Sequence, residues 1–236
     1  SIFEDRSGNI WIGTYAGGIN RIIRDQKRFE VIKNQPGNRN SLSNSTVFSV
    51  YEDSNEVLWI GTIGGLNRYD LKTESFSHFV SDPGQPNQLS HNVVRALFED
   101  SRGDFWVGTD RGLNRFDRET GKFILVEGML DRSESKWGGV IRHICEDNLG
   151  QLWIGTQEGA CLYNRDSGEF VFYNYQGNRP GTISDDTVRF LYKDSLGLIW
   201  VGANSGLNRL DPRTKQFTVF KHDPKNPGSI SHASVY

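Results

Sequence analysis

Tryptophan recurs in this chain at a nearly fixed interval. Trp11, Trp59, Trp106, Trp153 and Trp200 stand 48, 47, 47 and 47 residues apart. Each opens the same tetrad: Trp-Ile-Gly-Thr at 11–14, 59–62 and 153–156, Trp-Val-Gly-Thr at 106–109 and Trp-Val-Gly-Ala at 200–203. Six residues before each Trp stands an aspartate: Asp5, Asp53, Asp100, Asp147 and Asp194. Six residues after it stands Gly65, Gly112, Gly159 or Gly206; in the first copy the glycine is Gly18, seven on. One inserted residue there accounts for the single interval of 48. Five copies of one unit restrict the chain to a repeat architecture.

The unit itself reads as four short strands, a to d. In the third copy these are 93–99, 105–109, 113–116 and 123–126. Strand a is apolar on both sides (Val93, Val94, Leu97, Phe98), as expected of a strand sandwiched between neighbours. Asp100-Ser101-Arg102-Gly103 makes the a–b turn, the carboxylate accepting backbone N–H groups and Gly103 taking φ > 0. In the second copy Glu56 replaces that glycine, and Asn55 is expected to supply the left-handed residue. A four-stranded unit of this size cannot cover both of its own faces; sheets stacked radially cover each other's. The expected fold is therefore all-β, a β-propeller of four-stranded antiparallel blades forming one domain over 1–236. The repeated Trp would fill the core between blades, and truncating one to Ala would cost about 3–5 kcal/mol. The recurring pairs Asn20/Arg21, Asn67/Arg68, Asn114/Arg115 and Asn208/Arg209 are expected to hydrogen-bond between blades. Joining Tyr236 to Ser1 completes a strand a without a gap, so the chain holds five whole periods cut inside that strand. A piece of a longer array is expected, ahead of a closed five-bladed ring.

Composition excludes several function classes. With 27 basic and 29 acidic residues the net charge is −2, without the basic excess of a nucleic-acid binder. No apolar run approaches the ~18 residues of a membrane span, and no signal-peptide pattern opens the chain. Cys145 and Cys161 fall on strands a and c of one blade with strand b between, roughly 9–10 Å apart, beyond disulfide reach. Buried free thiols are expected.

The motif Asp-Ser-x-Gly-x-Leu/Phe-Trp-Ile/Val-Gly-Thr-x-x-Gly-Leu-Asn-Arg-Tyr/Phe-Asp resembles the two-component regulator propeller repeat. Asp100–Asp117 fits it almost throughout, all 236 residues fall inside copies of it, and the lead-ins Ser41-Leu42-Ser43 and Ser229-Ile230-Ser231 match too. The resemblance implies the periplasmic or extracellular sensory part of a membrane-anchored hybrid histidine kinase or diguanylate cyclase. It implies a downstream β-sandwich, membrane helix and cytoplasmic output domain as partners, and an oligosaccharide as ligand. No cofactor is implied, and homodimerisation stands open.

Residues repeated in every copy belong to the frame, so a ligand site is sought where the copies differ. The b–c tips differ: Tyr15-Ala16, Ile63, Asp110-Arg111, Gln157-Glu158 and Asn204-Ser205. Loops on a rigid scaffold commonly carry recognition. Five residues before the turn Asp, strand a carries Phe48, Arg95, Arg142, Arg189 and, across the seam, Tyr236. Three arginines at one level would grip a carboxylate or sulfate bidentately, or pair with a local acid such as Asp110 or Asp186. Trp137 stands outside the repeat, where other copies have Ser, beside Gly138-Gly139. It is read as a platform for a sugar ring or as a filler for the missing Leu. The sites named for ligand are thus Arg95, Arg142, Arg189, Trp137, Tyr15, Asp110, Arg111, Gln157, Glu158 and Asn204.

Catalysis finds no support. His78, His91, His143, His222 and His232 lack metal-ligand spacing, the a–b turns supply one carboxylate where calcium loops supply several, and no nucleophile elbow is present. A sensory, ligand-binding propeller is the expected function. The alternatives are a protein-interaction scaffold and an enzyme of the streptogramin-lyase type, which resembles the repeat distantly.

Overall fold

The computed structural model describes residues 1–23, 28–82, 84–128, 139–177, 179–211 and 213–235. They form twenty strands in five four-stranded antiparallel sheets, each in chain order. Blade 1 is β1 (Ile2–Glu4), β2 (Ile10–Gly13), β3 (Ile19–Ile23) and β4 (Arg28–Ile32). Blade 2 is β5 (Val47–Glu52), β6 (Leu58–Thr62), β7 (Gly65–Asp70) and β8 (Ser75–Phe79). Blade 3 is β9 (Val94–Glu99), β10 (Phe105–Thr109), β11 (Gly112–Asp117) and β12 (Lys122–Leu125). Blade 4 is β13 (Ile141–Glu146), β14 (Leu152–Thr156), β15 (Gly159–Tyr163) and β16 (Phe170–Tyr173). Blade 5 is β17 (Val188–Lys193), β18 (Ile199–Ala203), β19 (Gly206–Asp211) and β20 (Gln216–Phe220). This is the all-β blade architecture of a β-propeller. Blades 1–3 form one compact unit, Ser1–Val126, and blades 4 and 5 a second, Glu127–Tyr236.

One carboxylate organises each blade. The indole Nε1–H of Trp11, Trp59, Trp106, Trp153 and Trp200 donates to Oδ2 of the Asp six residues earlier, at 2.6 to 3.1 Å. In the last four copies Oδ1 of the same Asp accepts the backbone N–H groups two and four residues on, at 2.9 to 3.1 Å. The turn and the core aromatic are thereby fixed by the two oxygens of one side chain. Burial pushes the Asp53 carboxyl up, but the bonds from Arg118, the Trp59 indole and the Val57 N–H outweigh it and hold the group below its usual range. In the second copy Glu56 itself takes the left-handed conformation, at φ 60°, in place of the expected Asn55. Asn55 is instead held by its N–H to Asp53, 2.9 Å.

Trp59 and Trp153 pack between blades. Trp59 lies 4.9 Å from Phe105 and 5.2 Å from Phe116 of blade 3, ring centroid to centroid. Trp153 shares a buried cluster with Val188, Leu191 and Ile199 of blade 5. The repeated glycine of the tetrad permits this approach. A Cβ on Gly13, Gly61 or Gly155 would lie 2.6 to 2.8 Å from a methyl of Val47, Val94 or Val188 in the following blade. At the turn end, strand a closes with a glutamate that clamps the preceding blade. Glu52 accepts the Arg6 N–H at 2.7 Å, and Glu99 accepts both the N–H and the hydroxyl of Ser54 at 2.6 Å. Arg118 bridges the same seam, to Asp53 at 2.6 Å and to Glu99 at 2.7 Å.

The repeated Asn serves its own repeat, not the neighbouring blade as expected. Asn67, Asn114 and Asn208 accept the N–H of Ser43, Ser90 and Ser184 in the lead-in to strand a of the same blade. Each also donates to the carbonyl facing it on strand b, at 3.0 to 3.2 Å. Arg21 and Arg209 lie over the Trp11 and Trp200 rings across the strand pair. Asp53→Ala would strand a buried indole N–H and leave Arg118 with Glu99 as its one carboxylate, so urea denaturation should show a loss of about 3 kcal/mol. The half-buried equivalent, Asp194→Ala, should lose less.

Candidate functional site

The strand-a residues singled out in the sequence sit on a β-bulge. Strand b pairs with strand a in register until its penultimate residue, where one strand-a residue is skipped. The skipped residue is Phe48, Arg95, Arg142 or Arg189. Bulges re-aim a side chain and are common beside functional sites. Here the aim is toward the b–c tip fifteen residues on. Arg95 forms a bidentate pair with Asp110, from Nε to Oδ1 and from Nη2 to Oδ2, the latter at 3.0 Å. Its guanidinium also lies 4.6 Å from the Phe48 ring centroid in blade 2. Arg189 donates from Nε to Asn204 Oδ1 at 2.8 Å, while Asp186 accepts the Tyr175 N–H at 2.6 Å. Arg142 is half-buried at the same bulge, fifteen residues before Gln157. Arg95, Asp110, Arg189 and Asn204 are thus brought together in pairs within blades.

In blades 3 and 4 the backbone of the second tip residue is tied down by the tetrad threonine. Thr109 Oγ1 accepts the Arg111 N–H and Thr156 Oγ1 the Glu158 N–H, both at 3.0 Å. Gln157, Glu158 and Arg111 are exposed, and Tyr15 is 85% exposed on the inserted loop. Trp137 lies outside the described residues.

Arg111 stands at the edge of a cleft of about 580 Å³ in blade 3, lined by the d–a loop and strand β12. Asp82, Gln85, Asn87, His91 and Phe123 are among its walls. The loop is pinned by the Ser81 N–H to Asn92 at 2.7 Å and by the Phe123 N–H to the Asn87 carbonyl at 2.9 Å. Asn87 reaches that bond in the left-handed region, φ 64°. The Arg111 guanidinium has no partner among the described residues. The result is a shallow, polar cleft with one unpaired cation at its edge. The sequence pointed to Arg111 through its tip. It missed the cleft, because the cleft comes from the d–a loop folding back on strand d.

The histidines serve their own loops. His78 donates from Nε2 to the Ser41 carbonyl at 2.7 Å, and His222 from Nδ1 to the Ile230 carbonyl at 2.8 Å. His91 and His232 accept the backbone N–H two residues on. Among the described residues no three His, Cys, Asp or Glu are grouped to hold a metal. Cys145 and Cys161 are buried on β13 and β15, with β14 between. Burial pushes the Cys145 thiol up to about 12 and Cys161 higher still, so neither is a ready nucleophile.

Four segments, 1–16, 41–64, 88–111 and 136–158, match the family described as Two component regulator propeller. No curated protein matches the chain in sequence. Among solved structures, the chain is similar to the extracellular domain assigned to a hybrid two component system of B. thetaiotaomicron. The two are 24% identical with a TM-score of 0.76, over 99% of this chain and 36% of that one. A second such domain from B. thetaiotaomicron is 25% identical with a TM-score of 0.73, over 94% and 30%. The chain therefore spans about a third of those extracellular domains. Virginiamycin B lyase from Staphylococcus aureus shares the fold at 16% identity and a TM-score of 0.69, over 94% and 70%.

His143, on β13, supplies a pH-dependent property of the chain. Burial pulls its imidazole down to about 4, and its Nδ1 is buried without a hydrogen bond. A base whose folded pKa is depressed is stabilising in full above its unfolded pKa of about 6.5, and that contribution is lost as pH falls toward 4. Thermal melts should therefore show a midpoint that falls between these two pH values. His143→Gln should flatten that slope, and an unchanged slope would assign the effect to other groups.

Proposed function

We propose that this chain is a non-catalytic, extracytoplasmic sensory propeller of a bacterial signal-transduction regulator, and that it binds an oligosaccharide. The family match and the likeness to extracellular domains of two component systems support the sensory reading. The observation that carries ligand binding is the cleft beside Arg111, where polar loop groups and an unpaired guanidinium converge on a rigid frame. Such a mixture suits a sugar: hydroxyls meet the loop amides and carbonyls, and a carboxylate or sulfate substituent meets Arg111. Arg95 and Arg189, tied to their own tips, act in this reading as supports of the tips. A bound ligand would act by shifting the arrangement of the domains or protomers that follow. The lyase likeness, at 16% identity, bears on the fold alone.

A thermal-shift screen of neutral and acidic oligosaccharides tests the proposal. A true ligand at a hundred times its Kd stabilises by about 2.7 kcal/mol. Arg111→Ala should weaken an acidic ligand by about tenfold, the value of one charge-assisted contact. Arg95→Ala should lower the midpoint and leave affinity nearly unchanged. No stabilisation by any oligosaccharide, or affinity lost with Arg95 and kept without Arg111, would refute the site.

A further inference from the structure

The turn end of unit 2 departs from the pattern of unit 1 in three ways. In blades 2 and 3 strand a closes with Glu52 and Glu99, whose carboxylates accept the turn N–H of the preceding blade at 2.7 and 2.6 Å. In blade 5 that register position holds Lys193, which faces Ile199 across the strand pair as Glu52 faces Leu58. A lysine has no acceptor to offer, and the matching turn N–H, that of Asn148, makes no hydrogen bond among the described residues. The third departure lies at the turn tips. Where the first three copies have Ser7, Asn55 and Arg102, blades 4 and 5 have Leu149 and Leu196, 73% and 81% exposed.

These groups lie on touching turns. A Cβ placed on Gly197 would fall 2.0 Å from Nδ2 of Asn148, so the side-chain amide of one turn rests on the bare Cα of the other. Both leucines are held rigidly, their N–H groups bonded at 2.9 Å to Asp147 and Asp194. The acids at this end are occupied: Asp147 and Asp194 hold the indoles, and Glu146 pairs with Arg165 at 2.6 Å. What faces solvent is a cation and an unbonded N–H beside two leucines. At the two seams of unit 1 a carboxylate fills the equivalent place.

We propose that the turn end of the seam between blades 4 and 5 docks a protein segment presenting a carboxylate flanked by apolar side chains. The partner's carboxylate takes the place that Glu52 and Glu99 take at the other seams, accepting from the Asn148 N–H and the Lys193 ammonium. Its apolar neighbours cover Leu149 and Leu196. Charge complementarity selects this occupant: a second copy of the patch would bring Lys193 against Lys193. The site stands apart from the cleft beside Arg111 and does not rest on the saccharide reading.

The test is amide-shift mapping by NMR on the whole chain with the probe acetyl-Ala-Leu-Glu-Leu-Ala-amide, against the same peptide with Gln for Glu. Saturable shifts are expected at Asn148, Leu149, Lys193 and Leu196, with the Gln peptide about tenfold weaker, as loss of one ionic partner predicts. The double variant Leu149→Ser with Leu196→Ser should abolish the shifts. Lys193→Glu should abolish them too while raising the melting midpoint, because the chain then supplies its own carboxylate to Asn148. Equal binding of the two peptides, or no saturable shift up to millimolar peptide, would overturn the proposal. So would shifts at these residues produced by phosphatidylserine vesicles and not by the peptide, which would mark a membrane-docking surface.

Discussion

The structure depends on a carboxylate that serves two masters. The Asp that begins each a–b turn gives one oxygen to the turn backbone and the other to the indole six residues later. A buried indole N–H left unbonded costs the desolvation of that group, about 1–3 kcal/mol, and a tight turn left without its acceptor costs comparably. Joining both needs in one side chain makes the turn and the inter-blade core a single cooperative unit. The arrangement explains why Asp and Trp recur at a fixed spacing while the residues between them vary. It also explains the second repeated element, the tetrad glycine, since the following blade's valine must reach the sheet that the Trp anchors.

On that frame the copies diverge in a correlated way. The bulge residue of strand a and the tip fifteen residues later are chemically matched in four blades: Phe48 with Ile63, Arg95 with Asp110, Arg142 with Gln157, Arg189 with Asn204. In two of these the hydrogen bonds are explicit. Arg95 and Arg189 are therefore satisfied within their own blades, and in blade 3 the exposed polar groups are Arg111 and the d–a loop beside it. Divergence at the opposite end follows the same logic. Exchanging Glu for Lys193 unmakes a clamp and exposes the groups that the clamp would have engaged.

Much of the fold was legible in the sequence because its causes are local and repeated. The 47-residue period, the strand order and all four strand ranges in blade 3, to within one residue at each end, follow from Asp, Trp and Gly spacing alone. Strand β11 runs one residue further at each end than read, since Gly112 pairs with Thr109 and Asp117 with Lys122. What the sequence concealed needs three dimensions. The indole-to-carboxylate bond was in view as a constant interval of six, yet turn and core were read as separate devices. The bulge left no mark except the glycine opposite it. Glu56 as the left-handed residue ran against propensity, because Asp53 holds Asn55 in the turn and passes the strain one residue on. The cleft beside Arg111 depends on how a polar loop lies on strand β12, which no periodicity encodes. The Glu clamps were visible only as the dipeptide Glu-Asp, at 52–53 and 99–100, interrupted by Lys193-Asp194.

Hydrogen exchange of the indole N–H groups, followed by nitrogen-15 NMR, tests the shared carboxylate most directly. If each turn Asp holds its Trp as described, the indole protons of Trp11, Trp59, Trp106 and Trp153 should exchange only when their blades unfold cooperatively, as slowly as the central strand amides. Exchange of these indoles within minutes, while the strand amides beside them stay protected, would show that turn and core are held separately and would contradict the account.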